Sequence, residues 1–141
     1  METVNLQLLK YSVNEISFVL NENYALSDQH PISLKPVFTR TVKKIDQDNC
    51  EVSLRFIIQD SKECPAPFTM TAVVTGAFKL KDWEKKDNND LINMNAVAIM
   101  FPFLRALIAT ITSNANIPAV VLPVFNVIAY FENEEKKEQI D

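Results

Sequence analysis

Hydrophobic and polar positions alternate over much of residues 6–80, which is the pattern of β-strands that bury one face. Four alternating runs are separated by segments rich in Asn, Asp, Ser and Pro, residues that favour turns. The connection over residues 21–31 is long for a hairpin, so we expect a crossover there. The predicted strands are residues 6–20, 34–45, 50–59 and 68–80.

The first run changes parity at Asn14 and Glu15, and such a change predicts a β-bulge. We therefore expect the apolar residues before and after this point to lie on opposite faces of the strand. In the third and fourth runs one parity is apolar throughout, which predicts a single inward face for each strand. The two opposed sets of the first strand are Leu9, Tyr11 and Val13, and then Ile16, Phe18 and Leu20.

From residue 91 to residue 131 the apolar spacing becomes helical, in a stretch whose single charge is Arg105. One apolar stripe predicts a helix buried against the sheet. A second row of apolar or small residues predicts that this helix lies between two layers. Pro102 cannot donate a backbone hydrogen bond, so we expect a kink or a start there, with Asn93 or Asn95 as the cap. The stripe is Val97, Met100, Phe101, Leu104, Leu107, Ile108 and Ile111, and the second line is Ile99, Phe103, Ala106, Thr110 and Ser113.

The segments around this helix are more polar. Residues 81–90 predict a surface link anchored by Trp83. Pro102, Arg105 and the polar run 112–116 interrupt the apolar stretch, which favours a buried helix of a water-soluble protein over a membrane span. We expect a loop at 114–123 with exposed apolar residues, a shorter helix at 124–131, and a disordered charged tail. The predicted domain is residues 1–131, and the tail is residues 132–141.

Composition excludes several classes of site. A length of 141 residues predicts one domain, and strands followed by helices predict an α+β fold with an antiparallel, meander-like sheet. Gly76 is the sole glycine, so phosphate-binding loops and dinucleotide turns are excluded. The net charge of −4 argues against nucleic acid as a partner. Cys50 and Cys64 lack metal-ligand spacing, and no secretory signal precedes them, so we expect reduced thiols in a cytoplasmic protein.

No pattern of residues supports catalysis. His30 is the single histidine, beside a proline in a predicted loop, and no recognisable motif pairs it with a Ser or Cys nucleophile. Arg105 could bind an anion, but an arginine in an apolar helix more often completes a polar network at an interface. We therefore expect no enzyme activity, no cofactor and no metal. The apolar surplus, which includes Tyr130 and Phe131, predicts oligomerisation, an apolar groove, or both.

Four short motifs resemble the SecB family of export chaperones. They are Glu15-Ile-Ser-Phe18 in the first strand, Glu51-Val-Ser-Leu-Arg-Phe56 in the third, Gly76-Ala-Phe78 in the fourth, and Met100-Phe-Pro-Phe-Leu-Arg105 in the helix. The last is similar to the family's LFPYAR and is followed by the prolines Pro118 and Pro123. The resemblance covers nearly the whole chain in order.

The resemblance implies a four-stranded, Greek-key-like antiparallel sheet with a long helix and a short C-terminal helix on one face. It also implies a homotetramer, a dimer of dimers, with the long helix between the dimers. Ile99, Phe103, Arg105, Ala106 and Thr110 are then the expected oligomer interface. Family members hold unfolded or precursor polypeptides in apolar grooves without nucleotide, and the corresponding residues are Tyr24, Leu26, Leu34, Val37, Phe38, Val42, Val120, Leu122, Phe125 and Ile128.

Some positions depart from the family. Docking of the translocation motor uses acidic residues on the open sheet face, where Glu15 is kept but Val19 and Thr71 stand at positions that are acidic in the family. These departures argue against motor docking. Alternatives are a SecB-like chaperone of a toxin–antitoxin system, an α+β module that binds a small apolar ligand, and a purely structural oligomer. We expect no membrane insertion.

Overall fold

The computed structural model describes residues 5–22, 36–63, 65–115 and 129–134. Its elements follow the predicted order. They are β1 (Gln7–Leu20), β2 (Val37–Lys44), β3 (Asn49–Ile58), β4 (Phe68–Lys79), α1 (Lys86–Asn114) and a short helix at residues 129–134, here called α2. The predicted crossover loop and Leu34, His30 and Cys64, the proline loop and the predicted start of the second helix lie outside the described residues.

The four strands form one antiparallel sheet in the order β1-β4-β3-β2. A meander would place β1 beside β2, so the meander-like arrangement predicted from the pattern alone is wrong. The observed order is a Greek key, because β2, β3 and β4 follow one another as hairpins and β1 pairs with β4. β1 and β2 are therefore the outer strands among those described.

The core lies on one face of the sheet, under α1. The even-numbered residues of β3 and β4 are buried and the odd-numbered ones are half-buried or exposed, as the alternation predicts. Gly76 leaves room for side chains of the core, because a Cβ atom there would lie 2.7 Å from Cε2 of Phe78 in the same strand and 3.2 Å from Sδ of Met100 in α1. The helical stripe contributes Val97, Met100, Phe101, Leu104 and Ile108 to the core, with Leu107 and Ile111 packed at its margin.

The predicted bulge in β1 is confirmed by a register shift between Val13 and Glu15. Its effect is the reverse of the prediction, since the extra residue brings Tyr11 and Val13 of the first set onto the same face as the second set. Val13 pairs with Val74 and Ile16 pairs with Ala72, and both partners belong to the buried face of β4. A second shift, between Leu8 and Lys10, was not predicted; it leaves Leu9 without a β4 partner and exposed.

Helix α1 begins earlier than predicted. Lys85 occupies the cap position without a side-chain hydrogen bond, and Asn93 and Asn95 lie inside the helix, so the predicted caps are wrong. The buried stripe extends upstream through Ile92, which makes the polar turn at residues 86–90 part of the same helix. Pro102 also lies within the helix, on its exposed side.

The anchoring role of Trp83 is confirmed. Its indole is buried, and Nε1 donates to the backbone oxygen of Asp46 at 2.9 Å. By length and composition α1 would be long and apolar enough to cross a membrane, and it is the one such helix among the described residues. Its buried stripe instead packs across β3 and β4. Helix α2 continues to residue 134, three residues beyond the predicted end at Phe131.

Candidate functional site

Aromatic rings gather where β2 meets the two helices. Phe38 of β2 is 4% exposed, and its ring centroid lies 5.4 Å from Phe56, 5.8 Å from Phe101 and 5.5 Å from Tyr130. These neighbours come from β3, α1 and α2. Phe38 therefore joins the outer strand, the long helix and the short helix in one apolar cluster.

The outer edge of β2 presents backbone groups beside this cluster. The amide N–H of Phe38 donates to the hydroxyl of Tyr130 at 3.3 Å, so it points away from β3. The β2–β3 register has no shift, and the amides of Arg40 and Val42 therefore point the same way as that of Phe38. Their side chains also share the helix side of the sheet with Phe38. The edge combines an apolar wall with a row of outward backbone groups.

Arg40 connects β2 to both helices. Its Nη1 donates to the backbone oxygen of Asn93 in α1 at 2.6 Å. Its guanidinium carbon lies 4.7 Å from the ring centroid of Phe131, which is 6% exposed. The sequence-based site did not include Arg40. The signal that could have found it is the parity of β2, which places Arg40 between Phe38 and Val42 on the inward side.

The predicted groove residues fall into three groups. Phe38 and Val42 lie together on the helix side of β2, buried and half-buried. Val37 is 51% exposed on the opposite face, so the structure does not bring it to the same surface. Tyr24, Leu26, Leu34, Val120, Leu122, Phe125 and Ile128 lie outside the described residues.

A second apolar surface lies between α1 and the other outer strand. Phe103 is 45% exposed although its ring lies 4.8 Å from that of Tyr11 in β1, and Ile99 is also exposed. The helix packs mainly on β3 and β4, so Val13 and Ile16 of β1 stay largely uncovered. The other predicted interface residues, Ala106 and Thr110, are exposed, and Arg105 is half-buried.

Titratable groups in the described residues show no catalytic arrangement. Burial raises the pKa of the Cys50 thiol to about 11, which keeps it protonated and unreactive at neutral pH. Asp46 and Asp82 have lowered pKa values, because side chains of Asn49 and Gln47 respectively donate to their carboxylates. Among the described residues no group of three His, Cys, Asp or Glu side chains could hold a metal ion.

The sequence profile of the family described as preprotein translocase subunit SecB matches residues 2–138. The chain belongs to the SecB family. Protein-export protein SecB of Acinetobacter baylyi is 25% identical, over 95% of this chain and 89% of its own length. An uncharacterized protein of Methanocaldococcus jannaschii is 31% identical, over 95% of this chain and 88% of its own length.

A SecB-like chaperone of Mycobacterium tuberculosis, solved in complex with a ChAD peptide from an antitoxin, shares the fold. The TM-score is 0.69 at 12% identity, over 85% of this chain and 90% of the other. The predicted α+β fold with a long and a short helix is thereby confirmed. SecB proteins are chaperones and not enzymes, so the family supports a chaperone function for this chain.

The three positions that the sequence analysis considered for motor docking lie on one face of the sheet. Glu15 pairs with Val73, and Val19 pairs with Thr69, so both lie on the sheet face opposite α1. Thr71 pairs with Ser17 and faces the same way. This face carries hydroxyl groups along its centre, including Ser53 and Thr75, whose hydroxyl oxygens are 2.8 Å apart. This face therefore carries few of the acidic side chains that the resemblance to the family leads us to expect for motor docking.

Proposed function

We propose that this member of the SecB family is an ATP-independent chaperone that holds extended, non-native polypeptides along the β2 edge. The observation that carries the proposal is that outward backbone amides and the apolar side chains of Phe38 and Val42 lie together on one edge of the sheet. Such an edge can add a client strand through main-chain hydrogen bonds, while the wall accepts alternate apolar side chains. Neither contact requires a defined client sequence.

Export in the cytoplasm is the setting that we propose, since the family and its Acinetobacter member are described by protein export. A toxin–antitoxin role is the second candidate, because the Mycobacterium neighbour was solved with an antitoxin peptide. The export role and the toxin–antitoxin role differ in the protein to which the chaperone would pass its client. Binding of the purified protein to a translocation motor would favour export, and the few acidic groups on the open sheet face predict weak binding at most.

We also propose that the protein works as a homotetramer, a dimer of dimers. Exposed Ile99 and Phe103 on α1 and uncovered Val13 and Ile16 on β1 supply the apolar surface that assembly would bury. This arrangement would place α1 between two layers, as its two apolar lines predict. Light scattering of the purified protein tests the assembly.

Aggregation of a reduced, unfolded polypeptide tests the holding function. We expect suppression at near-stoichiometric chaperone without ATP. Val42→Ser should weaken it, because Val42 lies on the helix side of β2, whereas Val37→Ser makes the same change on the opposite face and should have less effect. Absence of suppression by the wild-type protein over several clients would refute the proposal.

A further inference from the structure

Helix α2 lies on the edge that we propose for clients, and its contacts resemble those that a client would make. The Tyr130 hydroxyl oxygen accepts from the outward N–H of Phe38, which is the role of a backbone carbonyl in an added strand. Phe131 places a ring against Arg40 between the strand and the helix. Together with the contact between the Tyr130 and Phe38 rings, these interactions occupy the beginning of the β2 edge.

We propose that Tyr130 and Phe131 form an intramolecular cap, which an extended apolar polypeptide must displace to pair with β2 at Phe38. The inference rests on the proposed function and adds its regulation. A client backbone carbonyl takes the place of the Tyr130 hydroxyl, and an aromatic client side chain takes the place of the Phe131 ring over Arg40. The Phe38 end of the edge is then covered when no client is bound, which protects this part of an outer strand from pairing with other chains.

The geometry gives the cap a limited strength. Tyr130 is half-buried and makes its edge contact at 3.3 Å, near the long end of the range for such bonds. Residues 132–134, which follow Phe131 in α2, are exposed. A contact of this strength can be exchanged for a client contact of the same kind. The apparent client affinity is then the intrinsic affinity multiplied by the fraction of molecules that are uncapped.

The test is the affinity of a fluorescein-labelled, 15-residue peptide with alternating Val and Thr and one central Phe. Tyr130→Phe keeps the ring and removes the hydroxyl, so it weakens the cap without opening a cavity. We expect the variant to bind the peptide about fivefold more tightly than the wild type, the equilibrium effect of losing one ordinary hydrogen bond from the capped state. Tyr11→Phe is the matched control on the other outer strand, where peptide affinity should be unchanged.

The outcomes separate the two proposals. Peptide binding by the wild type with equal or weaker binding by Tyr130→Phe would overturn the cap and leave the holding function standing. An equal gain in both variants would also overturn it, because the effect would then not come from the β2 edge. No binding of this peptide and no suppression of aggregation by the wild type would overturn the holding function itself.

Discussion

Arg40 lies with its guanidinium carbon 4.7 Å from the ring centroid of Phe131, and the same side chain donates to the backbone oxygen of Asn93. One arginine thereby connects the outer strand to both helices. Arginine suits this position because its planar group can stack on a ring and donate at its edge at the same time.

Arg40→Met should lower the free energy of unfolding by about 2 kcal/mol, since it removes a cation–π contact and a charged hydrogen bond. Urea denaturation measures the change. Arg55→Met is the control, because Arg55 is exposed on the opposite face of the sheet and should change the free energy of unfolding by less than about 0.5 kcal/mol. Equal effects of the two substitutions would contradict the connecting role of Arg40.

Gly76→Ala should destabilise the fold by about 1–3 kcal/mol, because the new methyl group meets the Phe78 ring and Met100 under α1. Thermal unfolding followed by circular dichroism measures it. Ala77→Ser, one residue along on the other face, should leave the melting temperature nearly unchanged. A stable Gly76→Ala protein would show that the neighbouring side chains, of which Phe78 is the nearest, can shift at little cost.

Phe103→Glu should dissociate the proposed tetramer, since it places a charge in the middle of the apolar surface formed by α1 and β1. Light scattering after size exclusion measures the molar mass, and circular dichroism should show that the protomer remains folded. Val19→Glu provides the comparison, because Val19 is exposed on the open sheet face. Dissociation by both substitutions, or by neither, would argue against this interface.

Stability should fall as pH rises through the range from 9 to 11. The folded state raises the pKa of Cys50 from its ordinary 9.0 to about 11 by burial, so above pH 9 the unfolded state loses its thiol proton first. The Cys50 contribution is therefore complete below pH 9 and is lost as pH approaches 11, with each pKa unit equivalent to about 1.4 kcal/mol.

Urea denaturation at pH 8 and pH 10.5 measures this loss, and Cys50→Ala should reduce the difference between the two pH values. The raised pKa of Tyr11, caused by burial, adds a loss of stability that begins above the ordinary tyrosine pKa of 10.0, and this loss remains in that variant. An unchanged pH dependence in Cys50→Ala would show that the thiol is solvated.

The strands of β3 and β4 could be predicted because each buries one face, so that residues such as Leu54 and Val74 reveal the period. The start of α1 could not be predicted from the sequence, because its first turn is polar and Lys85 makes no side-chain capping bond. The Greek-key order depends on long-range pairing that the alternation does not encode, and here the resemblance to the SecB family supplied it. Arg40 was missed because its partner Asn93 is 53 residues away in sequence.

The exposed apolar strip along β1 has a consequence for how newly made copies of the protein assemble. A newly made protomer exposes apolar side chains on this strip, which are of the kind that the protein is proposed to bind in its clients. They are Val13, Ile16 and Leu20. If the proposed tetramer forms, assembly with other copies and binding of clients would compete for newly made protomers. The cellular concentration of the protein would then set the share of protomers that assemble.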